Sequence, residues 1–290
     1  MKDKLKAQFE FEKNSMNEIP LYYTRPESID AWRHIRMLDT INELIKYSKE
    51  NEKNSTNTWA TVGDGRYAYN ANYLHEKGIN DVIASSITED NLKYAKDNNY
   101  IKKYQIENAE DLSFQDKTID FILCKESYHH FPRPTIALYQ MMRVAKQAII
   151  LIEPLDDNKI LNFLKKIIKF LIRGKGQSDL LFEPSGNFLY RISIKEFKKT
   201  LAAIGGYNFA CKGINDFYIE KFEKKNIKTY NIASLTTKFG IYFQNILSRV
   251  KLLGSGLGSI IIYEKDNKDL ERVLKKAGFK TYKIPQFQEY

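Results

Sequence analysis

The sequence contains few cysteines and no long apolar run. Its two cysteines, Cys124 and Cys211, both fall in segments that read as apolar strands, so a disulfide framework is not expected. No stretch reaches the roughly eighteen consecutive apolar residues of a membrane-spanning helix. The polar start of the chain lacks the apolar core of a secretion signal. These absences predict a cytoplasmic protein.

The charge of the chain is unevenly distributed. There are 46 Lys and Arg residues against 36 Asp and Glu, for a net charge of +10. Residues 1–150 are close to neutral, whereas residues 151–290 hold 25 basic and 14 acidic side chains. Such asymmetry is typical of proteins with an anionic partner. The lysines are scattered rather than grouped, however, which favours simple solvation of the surface.

Residues 158–173 predict a long basic amphipathic helix. Apolar residues recur there at helical spacing against Lys165, Lys166, Lys169 and Arg173. Such a helix either lies on an anionic membrane surface or covers a protein core. We favour the core and keep peripheral membrane contact as the alternative.

Strand and helix patterns alternate through the first half of the chain. A first helix is expected after Thr24-Arg25-Pro26-Glu27, which reads as a capping box. The expected strands are 58–62, 81–87, 103–106, 119–124 and 148–152, with helices at 70–77, 89–97 and 135–145. Further on, we expect helices at 194–204, 241–250 and 269–276 and strands at 207–219 and 258–264. Five strands separated by helices predict a parallel, doubly wound sheet.

A glycine-containing turn follows the first strand, with the sequence Val62-Gly63-Asp64-Gly65-Arg66-Tyr67-Ala68. Glycines at such a turn let the backbone approach a nucleotide closely. The free N–H groups of the following helix suit a carboxylate or a phosphate. Ala68 stands where the dinucleotide fingerprint has its third glycine, so the turn predicts either a nucleotide site or only a tight bend.

A second polar turn follows the second strand. Nucleotide-binding folds usually place an acid here for the ribose hydroxyls, whereas this chain has Ser86, followed by Ile87 and Thr88. Serine forms only an uncharged hydrogen bond. Ile87 is apolar and could pack on an adenine face.

A third motif carries a family resemblance. The third strand is followed by Glu107-Asn108-Ala109-Glu110-Asp111-Leu112-Ser113-Phe114, and the fourth strand by sequence is Ile119-Asp120-Phe121-Ile122-Leu123-Cys124. Together they resemble the acid-Ala-Glu-x-Leu-Pro-Phe and Phe-Asp-Leu-Val stretch of class I S-adenosylmethionine-dependent methyltransferases of the broad type-11 group. With the glycine turn before it, and His129-His130-Phe131 and Arg143-Val144 after it, the resemblance covers residues 58–154.

The resemblance implies S-adenosyl-L-methionine as cofactor, S-adenosyl-L-homocysteine as its product, and no metal. In that family an acid contacts the adenine amine where this chain has Asn108, and the backbone of Ala109 would face the adenine edge. The departures at Ser86 and Asn108 predict weaker or altered cofactor contacts. The expected cofactor-binding residues are Gly63, Asp64, Gly65, Ser86, Ile87, Thr88, Asn108, Ala109, Glu110 and Lys125.

The implied fold class is α/β, a Rossmann-like doubly wound sheet with an N-terminal lid helix and a C-terminal helical and strand cap. We divide the chain into a tail and lid helix (1–57) and a cofactor-binding core (58–154). A cap insertion (155–206) and C-terminal strands and helices that complete the sheet (207–290) follow.

Tyr128, His129 and His130 follow the fourth strand, at the edge where open α/β sheets bind ligands. Histidine titrates near neutrality and can remove a proton from an acceptor. We expect His130 to be the base, with His129 as the second candidate and Tyr128 orienting the acceptor. A packing role for both histidines, with positioning alone supplying the rate, is the alternative.

The acceptor is expected between the lid helix and a polar loop near residues 183–191. Ordinary surface charge and a structural loop are the alternative interpretations. The expected substrate-binding residues are Tyr22, Tyr23, Arg25, Trp32, Arg33, Asn187, Tyr190 and Arg191.

These features predict methylation of a small polar acceptor, on an oxygen of a sugar or related metabolite. The alternatives are a small-molecule N-methyltransferase and a catalytically silent binding module. A nicotinamide oxidoreductase is disfavoured because the third glycine and the ribose acid are missing. A base-modifying nucleic-acid methyltransferase is disfavoured because Cys124-Lys125-Glu126-Ser127 replaces the Asn/Asp-Pro-Pro-aromatic motif usual in such enzymes. The expected partner is therefore a small molecule and not a nucleic acid, and the oligomeric state stays open.

Overall fold

The computed structural model describes residues 6, 9–10, 19–51, 56–156, 188–250 and 252–285. The α-helices within these ranges, α1 to α9 in chain order, are Leu21–Thr24, Ile29–Leu38, Asn42–Glu50, Tyr69–Glu76, Asp90–Asp97, Pro134–Val144, Ile194–Ile204, Ile232–Arg249 and Lys268–Lys276. The strands β1 to β8 are Trp59–Thr61, Val82–Ser86, Lys103–Ile106, Ile119–Lys125, Ala145–Pro154, Tyr207–Ile214, Leu257–Glu264 and Lys280–Tyr282. Short 3-10 helices span Asp39–Ile41, Tyr128–His130 and Glu220–Phe222.

The strands form one eight-stranded sheet in the order β3-β2-β1-β4-β5-β7-β6-β8. Strands β1 to β5 pair in parallel, which confirms the predicted doubly wound core. Beyond β5, the strands β7, β6 and β8 pair antiparallel. The last third of the chain therefore extends the sheet that the first half begins.

The sheet is covered by apolar packing on both faces. Along β5, Ile150 and Ile152 belong to one buried cluster, with Leu44 of α3 and Leu270 of α9. Ile149 and its alternate neighbours belong to a second cluster, which includes residues of α6 and α7. This alternation is expected because successive side chains of a strand point to opposite faces.

The predicted capping box at Thr24 is wrong. Thr24 ends the short helix α1, and α2 begins at Ile29 after Ser28, whose side chain accepts a hydrogen bond from Ala31 N. Serine satisfies the free N–H groups at a helix start as well as threonine does, so local chemistry alone could not separate the two positions.

The C-terminal boundaries also differ from the prediction. Helix α8 begins at Ile232, nine residues before the predicted start, and Asn231 and Ser234 form its capping box. Strand β6 ends at Ile214 rather than at residue 219, and β8 was not predicted. The helices predicted at 194–204 and 269–276 are confirmed.

The helix predicted at 158–173 lies outside the described residues. Among the helices that the structure does describe, none is long and apolar enough to cross a membrane.

Candidate active site

The loop after β1 passes very close to the loop after β4. Gly63 has a φ of +74°, in the left-handed region that favours glycine. A Cβ atom there would lie 2.7 Å from Ser127 Cβ and 3.2 Å from Phe131 Cζ. Ser127 Oγ donates a hydrogen bond of 2.7 Å to the Gly63 carbonyl oxygen. Gly63, which was expected to let a nucleotide approach the backbone, thus also lets the loop after β4 approach it.

Asp64 caps the start of α4. Its carboxylate accepts hydrogen bonds from Asn70 N at 3.3 Å and from Ala71 N at 2.9 Å. Free N–H groups at a helix start suit a ligand, but the protein binds these two itself. Burial raises the pKa of the Asp64 carboxyl to about 6. Asp64 therefore acts as a buried helix cap.

The turn between Asp64 and α4 is tight despite lacking a third glycine. Tyr67 and Ala68 have φ values of +56° and +51°, a conformation that costs a non-glycine residue about 1 to 2 kcal/mol. Tyr23 Oη donates a 2.8 Å hydrogen bond to the Tyr67 carbonyl oxygen. The N-terminal segment thus helps to hold this turn in its unusual shape.

The turns after β2 and β3 are joined by a hydrogen bond of 2.8 Å from Glu107 N to the Ser86 carbonyl oxygen. Ser86 Oγ is buried and has no hydrogen-bond partner in the described structure. Asn108 Oδ1 accepts from Glu110 N at 3.0 Å, which leaves its NH2 group and a second oxygen lone pair for a ligand. Thr88 and Ala109 are buried at the same edge.

Glu110 has a structural partner. Its carboxylate accepts from Arg133 N at 2.6 Å and from Arg133 Nε at 2.7 Å. Arg133 directly precedes α6, so this pairing fixes the start of that helix. The side chain of Glu110, expected at the cofactor, is engaged by Arg133 instead.

Five side chains meet between the end of β4 and α2, and we call them the charged cluster: Asp30, His34, Tyr69, Lys125 and Glu126. His34 Nδ1 lies 2.9 Å from Lys125 Nζ and 3.1 Å from Glu126 Oε2. On its other side, His34 Nε2 lies 3.4 Å from Asp30 Oδ1. Lys125 Nζ also donates to Tyr69 Oη and to Glu126 Oε2.

Three members of the charged cluster have a fixed protonation state at neutral pH. Burial lowers the pKa of Lys125, but its ion pair with Glu126 and its hydrogen bond to Tyr69 outweigh this effect and raise it. Burial opposes the charge of Glu126, yet Lys125 and His34 hold its pKa well below the usual range. Burial raises the pKa of Tyr69 to about 12 against the opposing effect of Lys125. Lys125 is thus an ammonium, Glu126 a carboxylate and Tyr69 a neutral phenol.

The backbone is strained where the cluster joins the sheet. Glu126 has a φ of +50° directly after β4. Strained residues of this kind concentrate at functional sites, where the surrounding structure imposes their conformation. The strain and the buried charge together make this edge of the sheet the candidate site.

Glu153, at the end of β5, organises the turn after β4. Its Oε1 accepts hydrogen bonds of 2.9 Å from both Ser127 N and Tyr128 N. Its Oε2 is bound to His129 Nδ1. A fully buried carboxylate therefore sets both the backbone of the turn and the orientation of one imidazole ring.

The three predicted catalytic residues have different surroundings. Tyr128 is 2% exposed and packs in the core against the rings of Phe131 and Tyr190, so its side chain does not reach a ligand-facing surface. His130 is partly exposed, and its ring centroid lies 3.9 Å from that of His129. His129 Nδ1 is held by the Glu153 carboxylate.

The predicted lid residues pack on the core side of the glycine turn. Tyr22 Oη donates to Glu76 Oε2 at 2.6 Å, and the Tyr23 ring stacks on Tyr100 at 3.9 Å. The two tyrosine side chains are therefore held by contacts with protein, at Glu76 and Tyr100.

The basic residues of the lid helix have protein partners, and Arg33 Nη1 also lies 3.6 Å from Asp30 of the charged cluster. Arg33 pairs with Asp216, with Nε 2.8 Å from Oδ1, and Trp32 packs under the Arg36 guanidinium at 4.9 Å. Arg25 is exposed. The expected ligand-facing Arg33 is therefore committed to a second segment of the protein.

Of the predicted loop residues, Asn187 lies outside the described residues. Tyr190 N donates to the His129 carbonyl oxygen at 3.1 Å, which places this loop beside the histidines. Arg191 Nε is buried without a hydrogen-bond partner in the described structure.

Sequence reasoning did not assign roles to His34, Tyr69, Glu126, Ser127 and Glu153. His34 was visible only as one of several polar residues on the lid helix. A signal for Glu153 exists in hindsight, because it ends the fifth strand at the same edge as the fourth-strand residues. Among the described residues, no cluster of His, Cys, Asp and Glu side chains could hold a metal ion.

The part of the chain that forms the candidate site is similar to known proteins. Residues 60–152 match the model of a family described as a methyltransferase domain. This range contains the turns after β1, β2, β3 and β4. No curated protein matches the chain.

Solved structures show the same architecture. A candidate sarcosine dimethylglycine methyltransferase from Galdieria sulphuraria superposes with a TM-score of 0.50 and 13% identity, over 90% of this chain and 98% of that one. A magnesium protoporphyrin IX methyltransferase from Synechocystis PCC 6803, with bound S-adenosylhomocysteine, superposes with a TM-score of 0.49 and 12% identity, over 89% of this chain and 94% of that one. A SAM-dependent methyltransferase from Methanosarcina mazei superposes with a TM-score of 0.46 and 17% identity, over 75% of this chain and 96% of that one.

The domain match, the strand order and the successive turns at one sheet edge agree with one another. Residues 60–152 thus carry a methyltransferase domain, and the enzyme activity that this domain indicates uses S-adenosylmethionine as cofactor.

Proposed function

We propose that the chain transfers the methyl group to an oxygen atom of a small polar acceptor, such as a sugar or related metabolite. The charged cluster supports a polar acceptor, because the partly exposed side chains of Asp30, His34 and Glu126 supply polar atoms beside the end of β4. Polar groups of this kind bind hydroxyls well and exclude purely apolar ligands.

The residues at the first three turns fit the cofactor. Ser86 Oγ, buried and without a partner, would gain one from a ribose hydroxyl. The Asn108 side chain has an NH2 donor that suits an adenine ring nitrogen and an oxygen that can accept from the adenine amine. Half-buried Ile87 and the backbone of Ala109 would flank the base. When bound, S-adenosylmethionine supplies a methyl group on a positively charged sulfur, already activated for transfer.

The observation that carries the proposal is the pairing of His129 with Glu153. Because Nδ1 is bound by the carboxylate, the neutral ring keeps its lone pair on Nε2, the nitrogen that would take the acceptor proton. Two neighbouring charged groups, Lys125 and Glu126, are unsuited to this role. Lys125 has a raised pKa and Glu126 a lowered one.

Cofactor binding is tested first, by calorimetry with S-adenosylhomocysteine. We expect Ser86→Ala to weaken binding by about tenfold, the value of one hydrogen bond. Ser259→Ala is the matched control, because Ser259 Oγ is also buried without a partner but lies on β7. If both variants bind like the wild type, Ser86 does not contact the ribose.

The acceptor is then sought by transfer of an isotopically labelled methyl group to separate panels of sugars and small amines, with the product identified by NMR. We expect an O-methyl product. His129→Gln should lower its rate by about 10² to 10⁴ and leave S-adenosylhomocysteine affinity unchanged. His75→Gln, on α4 and bound to the Ile79 carbonyl oxygen, is the control.

Each other outcome has a defined meaning. An N-methyl product would refute O-methylation. An unchanged rate in His129→Gln would refute its role as base, and His130→Gln would be measured next. Cofactor binding without transfer to either panel would support the silent binding module.

A further inference from the structure

Helix α8 presents its small and polar side to the protein. Ala233, Ser234 and Thr237 are buried, together with Ile241. A Cβ atom on Gly240 would lie 2.5 Å from the ring of Phe217, so no larger residue fits at that position.

Polar contacts continue along the same inner side of α8. Asn215 Nδ2 donates hydrogen bonds of 2.9 Å to Asn245 Oδ1 and 3.0 Å to Ser248 Oγ. The helix is thus fixed to β6, which ends at Ile214, by polar atoms as well as by packing.

The outer side of α8 is apolar. Phe239 is 66% exposed and Ile232 is 81% exposed, and Tyr230, just before the helix, is 97% exposed. We call the following residues the docking face: Ile232, Leu235, Phe239, Tyr242, Phe243 and Val250. Their spacing puts them on one stripe along the whole helix. A surface helix normally has the reverse arrangement, and a continuous exposed apolar stripe indicates an interaction site.

The charge around the docking face is mostly positive. Residues 221–251 contain seven Lys and Arg residues and one acidic residue, Glu223. Lys238 and Arg249 are exposed, and their spacing of three helical turns sets both along one edge of the stripe. Helix α8 itself contains no carboxylate.

This charge pattern selects among possible occupants. A second copy of the same face would bring cations against cations, because the face offers no carboxylates to pair with them. The basic excess also extends beyond the helix, over the whole segment 151–290. A broad anionic surface with an apolar interior matches the apolar stripe and the widespread positive charge better than a compact protein partner does.

We infer that α8 docks on the surface of an anionic lipid bilayer, with Phe239 and Phe243 inserted at the boundary of headgroups and acyl chains. Lys238 and Arg249 reach the headgroups from the edge of the stripe. The start of α8 packs through Ala233 against Ile29 of α2, the helix that carries His34. Docking therefore sets the candidate site close to the membrane, and the inference does not depend on the identity of the acceptor.

The test is co-sedimentation of the full chain with vesicles of phosphatidylcholine alone or with about 30% phosphatidylglycerol. The wild type should bind the anionic vesicles, and added salt should weaken binding. We expect Phe239→Ser with Phe243→Ser to lose at least about tenfold in affinity through lost insertion. Lys238→Glu with Arg249→Glu should lose at least about tenfold through charge reversal.

The matched control is Ile136→Ser with Tyr139→Ser, which removes two exposed apolar residues from α6 and should leave binding unchanged. Circular dichroism confirms that each variant is folded. Failure of the wild type to bind anionic vesicles overturns the inference, as does unchanged binding by the double phenylalanine variant. A wild-type dimer that the same variant converts to a monomer, seen by light scattering, identifies a second copy as the occupant instead.

Discussion

Replacing Gly63 by alanine tests the close approach of the loops after β1 and β4. The backbone conformation, with φ of +74°, costs an alanine about 1 to 2 kcal/mol. The new Cβ atom would also lie 2.7 Å from Ser127 Cβ, whereas carbon atoms normally approach to about 3.5 to 4 Å. Ser127 must therefore move by about 1 Å.

That movement disturbs two hydrogen bonds. The bond from Ser127 Oγ to the Gly63 carbonyl oxygen, 2.7 Å long, is worth about 1 kcal/mol. The bond from Ser127 N to the Glu153 carboxylate, 2.9 Å long, is worth about 1.5 to 3 kcal/mol and is stretched rather than lost. We expect Gly63→Ala to lower the free energy of unfolding by about 3 to 5 kcal/mol in all.

The control is Gly206→Ala, measured by urea unfolding under the same conditions. Gly206 has a φ of +79°, and its Cβ would meet no atom within 4 Å, so it should lose only the conformational cost of about 1 to 2 kcal/mol. Adding Ser127→Gly to Gly63→Ala should recover part of the contact cost but none of the conformational cost. Equal losses for Gly63→Ala and Gly206→Ala would refute the reasoning, because the close approach would then contribute nothing.

Two further predictions concern buried charges. Burial raises the pKa of Asp64 from 3.8 to about 6, so the folded state binds a proton more readily than the unfolded chain. As the pH rises from about 4 to about 6, this carboxyl therefore lowers the free energy of unfolding. Asp64→Asn removes this titration. The free energy of unfolding of the variant, relative to that of the wild type, should therefore rise by roughly 3 kcal/mol between about pH 4 and pH 7. A difference between the two proteins that stays constant with pH in urea unfolding would contradict this prediction. Lys125→Met leaves the Glu126 carboxylate without its ammonium partner and should cost about 3 to 5 kcal/mol, near the lower value because Glu126 is 30% exposed. Adding Glu126→Gln should restore most of the thermal stability, and a double variant as unstable as Lys125→Met would show that the ion pair is not the cause.

Several site residues could be found from the sequence because the chain places them next to recognisable strands. Gly63, Ser86, Asn108 and Lys125 each stand at the end of a parallel strand, and parallel strands share one edge for their carboxyl ends. Their approximate position therefore follows from the alternation of strand and helix. Their hydrogen-bond partners do not follow from this alternation. Asp64 is an example, because a carboxylate at such a turn can cap a helix as well as face a ligand.

The C-terminal third was harder to predict because its patterns mislead. Residues 232–240 belong to α8, yet their apolar side faces outward and their polar side faces the protein. Periodicity reveals a helix but cannot say which side is buried. Strand β8 has only three residues, which is too short for an alternating pattern to be recognised.

The sequence by itself determined the parallel core, the order of its turns and the resemblance of residues 60–152 to a methyltransferase domain, because local periodicity and short motifs are written into adjacent residues. Only the tertiary structure decided which side chains meet at the site. His34 reaches Lys125 across 91 residues and Arg33 reaches Asp216 across 183, and the same packing pairs Glu153 with His129 rather than with His130. Such contacts depend on how the lid helix and the sheet edges come together in space, and no local pattern records that.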